Sequence, residues 1–170
     1  MSTEPTTTKN PPRSYPKLNK TGDKDFNAEV PADWRVQDLM GMQTHDAAIG
    51  VYNSAITALG ECAELHANLV SAMFAETEPR DAIEAMLIAQ MTATHVAMTS
   101  LCARMSYQKN HMVRESHERS MTRLSRTYLA QMDALKKYRA KAQQTVRVER
   151  VSVESGGQAI VGDVNHQGAG

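Results

Sequence analysis

Three residues of this chain have side chains that could bind a soft metal, and they lie at helical spacing. Cys62 and His66 are four residues apart, which places them on one face of a helix. If the chain turns back near Thr77, His95 on the following helix comes close to the level of Cys62. Thiolate and imidazole are ligands that soft metals accept, but a fourth ligand is not evident. The alternative interpretation is a set of buried polar side chains at a helix seam.

Other patterns that carry catalysis are missing from the sequence. The Glu-x-x-His pairs of di-iron bundles are absent. Gly156 and Gly157 precede a predicted strand and not a helix, so they do not form a phosphate-binding loop. Neither cysteine has the local sequence of a known nucleophile. We therefore predict a protein that is not an enzyme and that holds no metal or other cofactor.

Charge is unevenly distributed along the chain, although 19 basic and 19 acidic residues cancel. Residues 46–103 carry 1 basic and 7 acidic groups, whereas residues 104–150 carry 12 and 4. The last predicted helix is therefore a basic element in a neutral protein.

One face of that helix carries a row of basic residues: Arg119, Arg123, Arg126, Lys137 and Lys141. Two interpretations remain open. The row neutralises the acidic helices, within the bundle or between subunits, as a solvated ion-pair surface. Alternatively, it binds phosphate backbones in a salt-dependent and sequence-independent way, strongly if the row is repeated around a ring.

Long helices are predicted to position these side chains. The composition is 41% hydrophobic but only 5% aromatic, which indicates an aliphatic core of closely packed helices. Sevenfold apolar spacing over residues 46–75 predicts one thirty-residue helix. Pro79 suits the first turn of a second helix, which makes a helical hairpin. A third helix is predicted from about Arg114 to Gln143, and its continuity with the second is left open, because no Gly or Pro separates them.

The second helix carries a methionine at every seventh position: Met91, Met98, Met105 and Met112. This spacing predicts a packed seam. We interpret the row as core filling rather than as an adaptable binding groove.

The two ends of the chain differ from the predicted helical bundle of residues 46–143. Residues 1–30 are rich in Pro, Thr, Lys and Asn without an apolar period, which predicts a disordered arm. Residues 31–45 are expected to form a short helix that docks on the bundle. Residues 145–164 predict a β-hairpin, and residues 165–170 a frayed tail.

The predicted hairpin is interpreted as an assembly device. Its valines alternate with polar residues, and Gly156 and Gly157 suit a two-residue turn. A lone hairpin with open edges is marginal in water, so pairing with the same hairpin of neighbouring subunits would cover it. The residues assigned to oligomerisation are Val146, Val148, Val151, Val153, Ile160, Val161 and Val164.

Three phrases carry a resemblance to known proteins: "EAMLIAQMTATH", "TYLAQMDALKKYRAKAQQTVRVERVSV" and "GGQAIVGDV". Together they resemble a family of small proteins encoded in bacterial genomes and prophage-like regions, over roughly residues 78–164. That family brings no active site with it. The order of elements is also similar to that of phage small terminase subunits, which form rings through two long antiparallel helices and a C-terminal β-barrel. Their usual N-terminal helix-turn-helix has no counterpart in residues 1–45.

The sequence therefore favours a mainly α, non-enzymatic, homo-oligomeric structural or assembly protein of phage or mobile-element origin. The alternative is a nucleic-acid-binding packaging accessory protein of the small-terminase kind. The expected partners are further copies of the chain, and DNA or another packaging protein. Without an export segment or an apolar stretch near twenty residues, we expect a cytoplasmic or virion-associated protein with no membrane partner. Cys62 and Cys102 are then reduced thiols.

Overall fold

The chain folds mainly into helices, preceded by a small antiparallel sheet, in a computed structural model that describes residues 13–22 and 25–141. The strands are β1 (Lys17–Lys20) and β2 (Phe26–Glu29), and the helices are α1 (Val36–Met40), α2 (His45–Thr57), α3 (Ala63–Thr77), α4 (Ala82–Tyr107) and α5 (His111–Lys141). The predicted mainly α class is confirmed. The predicted hairpin of residues 145–164 lies outside the described residues.

The strand pair corrects the prediction of a disordered arm for the part of residues 1–30 that the structure describes. β1 and β2 are antiparallel, with Leu18 opposite Ala28. The ribbon is held by α3, because the side-chain amide of Asn68 accepts from the Leu18 amide at 2.8 Å and donates to its carbonyl at 2.9 Å. Leu18 is buried against the core. A polar composition did not reveal this tertiary anchor.

The short helix α1 is buried through Val36, Leu39 and Met40. It ends at Gly41, whose φ is +63°, and a Cβ there would lie 2.1 Å from the Pro79 carbonyl oxygen. Only glycine tolerates both this conformation and this approach. The corner between α1 and the start of α4 is therefore closely packed.

The helix predicted over residues 46–75 is divided into α2 and α3. The Tyr52 hydroxyl lies 2.5 Å from the Ser71 hydroxyl, although one straight helix would separate these residues by about 28 Å. The chain therefore folds back, and Gly60 at φ +54° lies in the bend. The fold-back buries Tyr52 and brings its ring to a centroid distance of 6.3 Å from that of Phe74. The heptad spacing of apolar residues continues through the bend, so this spacing does not indicate where the helix ends.

The turns at both ends of α4 have polar caps. Asp81 caps the N-terminus by accepting from the amides of Ile83 and Glu84, in the turn predicted at Pro79. The boundary left open between the second and third helices falls at residues 108–110. There the Asn110 side chain accepts from the amides of Met112 and Val113, which starts α5 without Gly or Pro.

α4 is the central helix and contacts α2, α3 and α5. Its side chains Ile88 and Val96 are buried with Phe74 of α3. Within the described residues, α4 alone has the length and apolar composition of a membrane-spanning helix, a property that a core helix shares. This corrects the expectation of no apolar stretch near twenty residues.

Candidate functional site

α5 is attached to the rest of the described fold mainly through α4. The two helices are antiparallel, as shown by the neighbouring pairs Cys102 with Met121 and Met98 with Ser125. With 31 residues, α5 is about 46 Å long. One side of it packs on α4, and the opposite side is exposed along its length.

An apolar cleft lies between α3 and α5, with α4 as its floor. Its volume is about 160 Å³. The α3 wall is formed by Leu69, Met73 and Thr77, and the opposite wall by Tyr128. The floor consists of Ile88, Met91, Thr92 and His95. This cleft places part of the predicted methionine row at a surface.

Large apolar side chains remain exposed along both walls of this cleft. Leu65 lies one turn before Leu69 on α3 and is 83% exposed. Met132 lies one turn after Tyr128 on α5 and is 45% exposed, and Leu129 beside it is 64% exposed. They do not line the cleft itself, but their spacing from Leu69 and Tyr128 places them on the adjoining outer surfaces of α3 and α5.

The methionine row is not core filling, because none of its members is fully buried. Met91, Met98 and Met105 are half-buried, and Met112 is 77% exposed. They follow the edge at which α4 meets α5. The core of the described residues is instead formed by smaller aliphatic side chains together with Phe74, Leu39 and Met40.

The three candidate metal ligands are not brought together. Cys62 Sγ lies 3.1 Å from the hydroxyl of Ser100, five residues beyond the predicted neighbour His95. The His95 ring instead faces Tyr128, at a centroid distance of 6.2 Å. Within residues 13–22 and 25–141, no three His, Cys, Asp or Glu side chains are grouped as metal ligands.

The basic row does lie on one exposed face of α5. Arg119, Arg123, Arg126 and Lys137 are all exposed, and Lys141 is the last residue of the helix. From Arg119 to Lys137 the row extends about 27 Å, which is five turns. We call these residues the basic stripe.

The basic stripe does not neutralise the acidic helices within the described fold. Arg119 pairs with Glu115 of the same helix at 3.5 Å. In the part of the chain that the structure describes, Arg123, Arg126 and Lys137 make no ion pair. Within the described residues these three cations therefore do not neutralise the acidic helices through ion pairs, and their role stays a prediction.

A buried carboxylate fastens the C-terminal end of α5 to the bundle. The Glu84 side chain is fully buried and accepts from Arg80 at 2.8 Å and from Arg139 at 3.0 and 3.2 Å. Arg139 also donates to the Thr77 carbonyl at 2.7 Å, which joins α3, α4 and α5. We call Arg80, Glu84 and Arg139 the clasp.

The clasp keeps Glu84 ionised. Burial by itself raises the pKa of this carboxyl, but hydrogen bonds from Arg80 and Arg139 outweigh it and hold the pKa below its ordinary value. No local sequence pattern indicates the clasp. Glu84 begins the phrase "EAMLIAQMTATH" and Arg139 lies in "ALKKYRAK", but no spacing rule connects two residues 55 positions apart.

Comparison of the chain with protein-family models, with curated proteins and with solved structures gave no match. The resemblances to prophage-encoded proteins and to small terminase subunits therefore stay predictions. The apolar cleft, the basic stripe and the clasp are interpreted from their own geometry.

Proposed function

We propose that the protein is a non-enzymatic, homo-oligomeric structural or assembly protein. The observation that carries this proposal is the apolar cleft between α3 and α5, which stays open with Leu65, Leu129 and Met132 exposed around it. Single exposed apolar side chains are ordinary on protein surfaces. Several of them grouped along one cleft are typical of a surface that another molecule covers.

The predicted hairpin supplies a second contact in this proposal. Residues 145–164 follow α5 closely, so each subunit would carry its hairpin next to the clasp. The hairpin and the origin from a phage or mobile element rest on the sequence alone.

The mass of the full-length chain in solution tests the proposal. One chain has a mass of 18.7 kDa. Light scattering on a size-exclusion eluate should give a defined multiple of this mass. A mass of one chain at every concentration would contradict the proposal. The variant with both Val153→Asp and Ile160→Asp then shows whether the hairpin contributes, since it should give a smaller species.

The basic stripe favours nucleic-acid binding as a second candidate function. Arg119, Arg123, Arg126 and Lys137 are exposed, and the last three lack ion pairs in the described fold. Phosphates bound by such a row release counterions, so the logarithm of the affinity should fall with the logarithm of salt by about 0.9 per phosphate.

Retention on immobilised duplex DNA at low and high salt tests this candidate. The variant with Arg123→Glu and Arg126→Glu should lose retention at low salt. The matched control, with Lys17→Glu and Lys109→Glu, changes the net charge equally at exposed positions away from the basic stripe. Equal losses in both variants would show an effect of net charge and reject the basic stripe as the interface.

A further inference from the structure

We infer that a second copy of the chain fills the apolar cleft, in a twofold dimer in which α5 of each subunit packs on α3 of the other. This inference rests on the proposed function and adds the surface and the orientation. The cleft is lined by three helices, which is the arrangement of a four-helix bundle with one position open. The helices of a second subunit can cover this open side, with one of them opposite each wall.

The helix directions restrict how two copies can meet. α3 is antiparallel to α4, because Glu61, two residues before its start, pairs with Arg104 near the end of α4, and Thr77 at its end lies near Glu84. α5 is also antiparallel to α4, so α3 and α5 run in the same direction. A twofold axis parallel to the helices therefore brings α5 of one copy onto α3 of the other, in the same direction and at the same level.

Charge selects this axis over a perpendicular one. Of the two acidic residues of α3, Glu64 is held by Lys20, whereas Glu76 forms no ion pair within residues 13–22 and 25–141. Most basic residues of α5 belong to the basic stripe or the clasp, and Lys136 lies beside the α5 wall of the cleft. An axis perpendicular to the helices would place α3 on α3 and α5 on α5, which keeps Glu76 apart from Lys136. The parallel axis instead brings these two opposite charges together, twice in each dimer.

A single pair of exposed side chains represents this complementarity. Glu76 follows Met73 by three residues on the α3 wall, and Lys136 follows Met132 by four on the α5 wall. Both lie near the end of the cleft where Arg139 reaches the Thr77 carbonyl. Both are exposed, and neither forms an ion pair within residues 13–22 and 25–141. Across the parallel axis, Glu76 of one subunit comes near Lys136 of the other.

The apolar residues of the cleft would form the centre of this dimer. Leu65, Leu129 and Met132 adjoin the cleft and are exposed, and burial in the interface would remove their side chains from water. Methionines such as Met73 and Met91 adapt their shape to a neighbouring surface. The charged residues would then form the rim, which is the usual anatomy of a specific interface.

The first test places a charge in the cleft of the full-length protein. Met132→Asp and Leu65→Asp should each halve the mass measured by light scattering, because both side chains are exposed in the subunit and an aspartate at either position is disfavoured only in the interface. Tyr107→Asp is the matched control: Tyr107 is 87% exposed, at the far end of α4, and its variant should keep the wild-type mass. Unchanged circular dichroism in each variant shows that the fold is retained.

The outcomes separate this inference from the proposed function. A wild-type protein with the mass of one chain contradicts both. A wild-type oligomer whose mass Met132→Asp and Leu65→Asp leave unchanged contradicts the cleft as the interface and leaves the proposed function in place. In that case the hairpin variants identify the remaining contact.

The second test exchanges the charges at the rim. Glu76→Lys and Lys136→Glu should each weaken the dimer about tenfold, because each change introduces two repulsive pairs per dimer. The double variant restores both attractive pairs and should return the dissociation constant to within about threefold of the wild type. If the dissociation constant of the double variant is instead raised by the product of the two single-variant factors, the two residues do not interact. In that case α3 does not face α5, and the parallel axis is rejected.

Discussion

Neutralising the buried Glu84 should destabilise the protein although the change is nearly isosteric. In Glu84→Gln, the side-chain amide replaces one acceptor oxygen with a donor, which faces the Arg80 guanidinium at the Oε1 position or the Arg139 guanidinium at the Oε2 position. Arg80 and Arg139 then lose their buried counter-charge, and the hydrogen bonds from one of the two guanidinium groups are broken. The change removes no apolar packing, so its effect reports on the clasp alone.

The magnitude follows from the burial of the three side chains. Removing one partner of a fully buried ion pair typically costs about 3–5 kcal/mol. Glu84 is fully buried, but the Arg80 and Arg139 side chains are 43% and 37% exposed, so water recovers part of their solvation. We therefore expect a loss of about 2–3 kcal/mol in the free energy of unfolding. For a chain of this size, the melting temperature should fall by roughly 4–12 °C.

Thermal melting followed by circular dichroism measures this loss. Glu64→Gln is the matched control, because Glu64 pairs with Lys20 but its side chain is 62% exposed, and we expect a change below about 0.5 kcal/mol. The difference between wild type and Glu84→Gln should also depend on pH. Because the folded-state pKa of Glu84 is lowered, its contribution is complete above the unfolded pKa of about 4.3 and is lost as the pH falls through the lower folded-state value. Equal melting temperatures for wild type and Glu84→Gln at neutral pH would refute this account of the clasp.

Other parts of the fold give further predictions. Gly41→Ala and Gly60→Ala both place a Cβ at positive φ, but only at Gly41 does it meet a backbone oxygen, so urea unfolding should show a loss of about 1–2 kcal/mol for Gly60→Ala and a clearly larger one for Gly41→Ala. Equal losses would show that crowding by Pro79 is unimportant. Phe74→Ala should cost about 3–5 kcal/mol in the same assay, because Phe74 is fully buried, and a loss below 1.5 kcal/mol would contradict its place in the core. Asn68→Ala should speed amide hydrogen exchange of Leu18, whose amide it binds, without changing exchange in α5. Unchanged Leu18 exchange would show that the strand pair does not depend on Asn68.

The helical class and the main turns could be predicted from local patterns. Apolar spacing indicated the helices, Pro79 indicated the turn before α4, and the third helix was placed within a few residues of His111–Lys141. The basic stripe was also predictable, because residues separated by three, four or eighteen positions share one side of a helix. Such features depend on neighbours in sequence.

The features that sequence reasoning missed depend on contacts between distant residues. The bend between α2 and α3 lets Tyr52 meet Ser71, yet the apolar period continues through it. The strand pair depends on Asn68, which is 50 residues from Leu18. Glu84 was counted only as one charge of an acidic segment, since its burial requires Arg139 from another helix. In each case tertiary contacts outweighed local composition.

The most direct test of self-association through the apolar cleft is sedimentation equilibrium of the full-length wild type beside Met132→Asp, at matched concentrations. We predict a multiple of 18.7 kDa for the wild type and half of that mass for the variant. Equal masses for the two proteins would contradict the cleft as the interface, and a mass of 18.7 kDa for the wild type at all concentrations would contradict self-association itself.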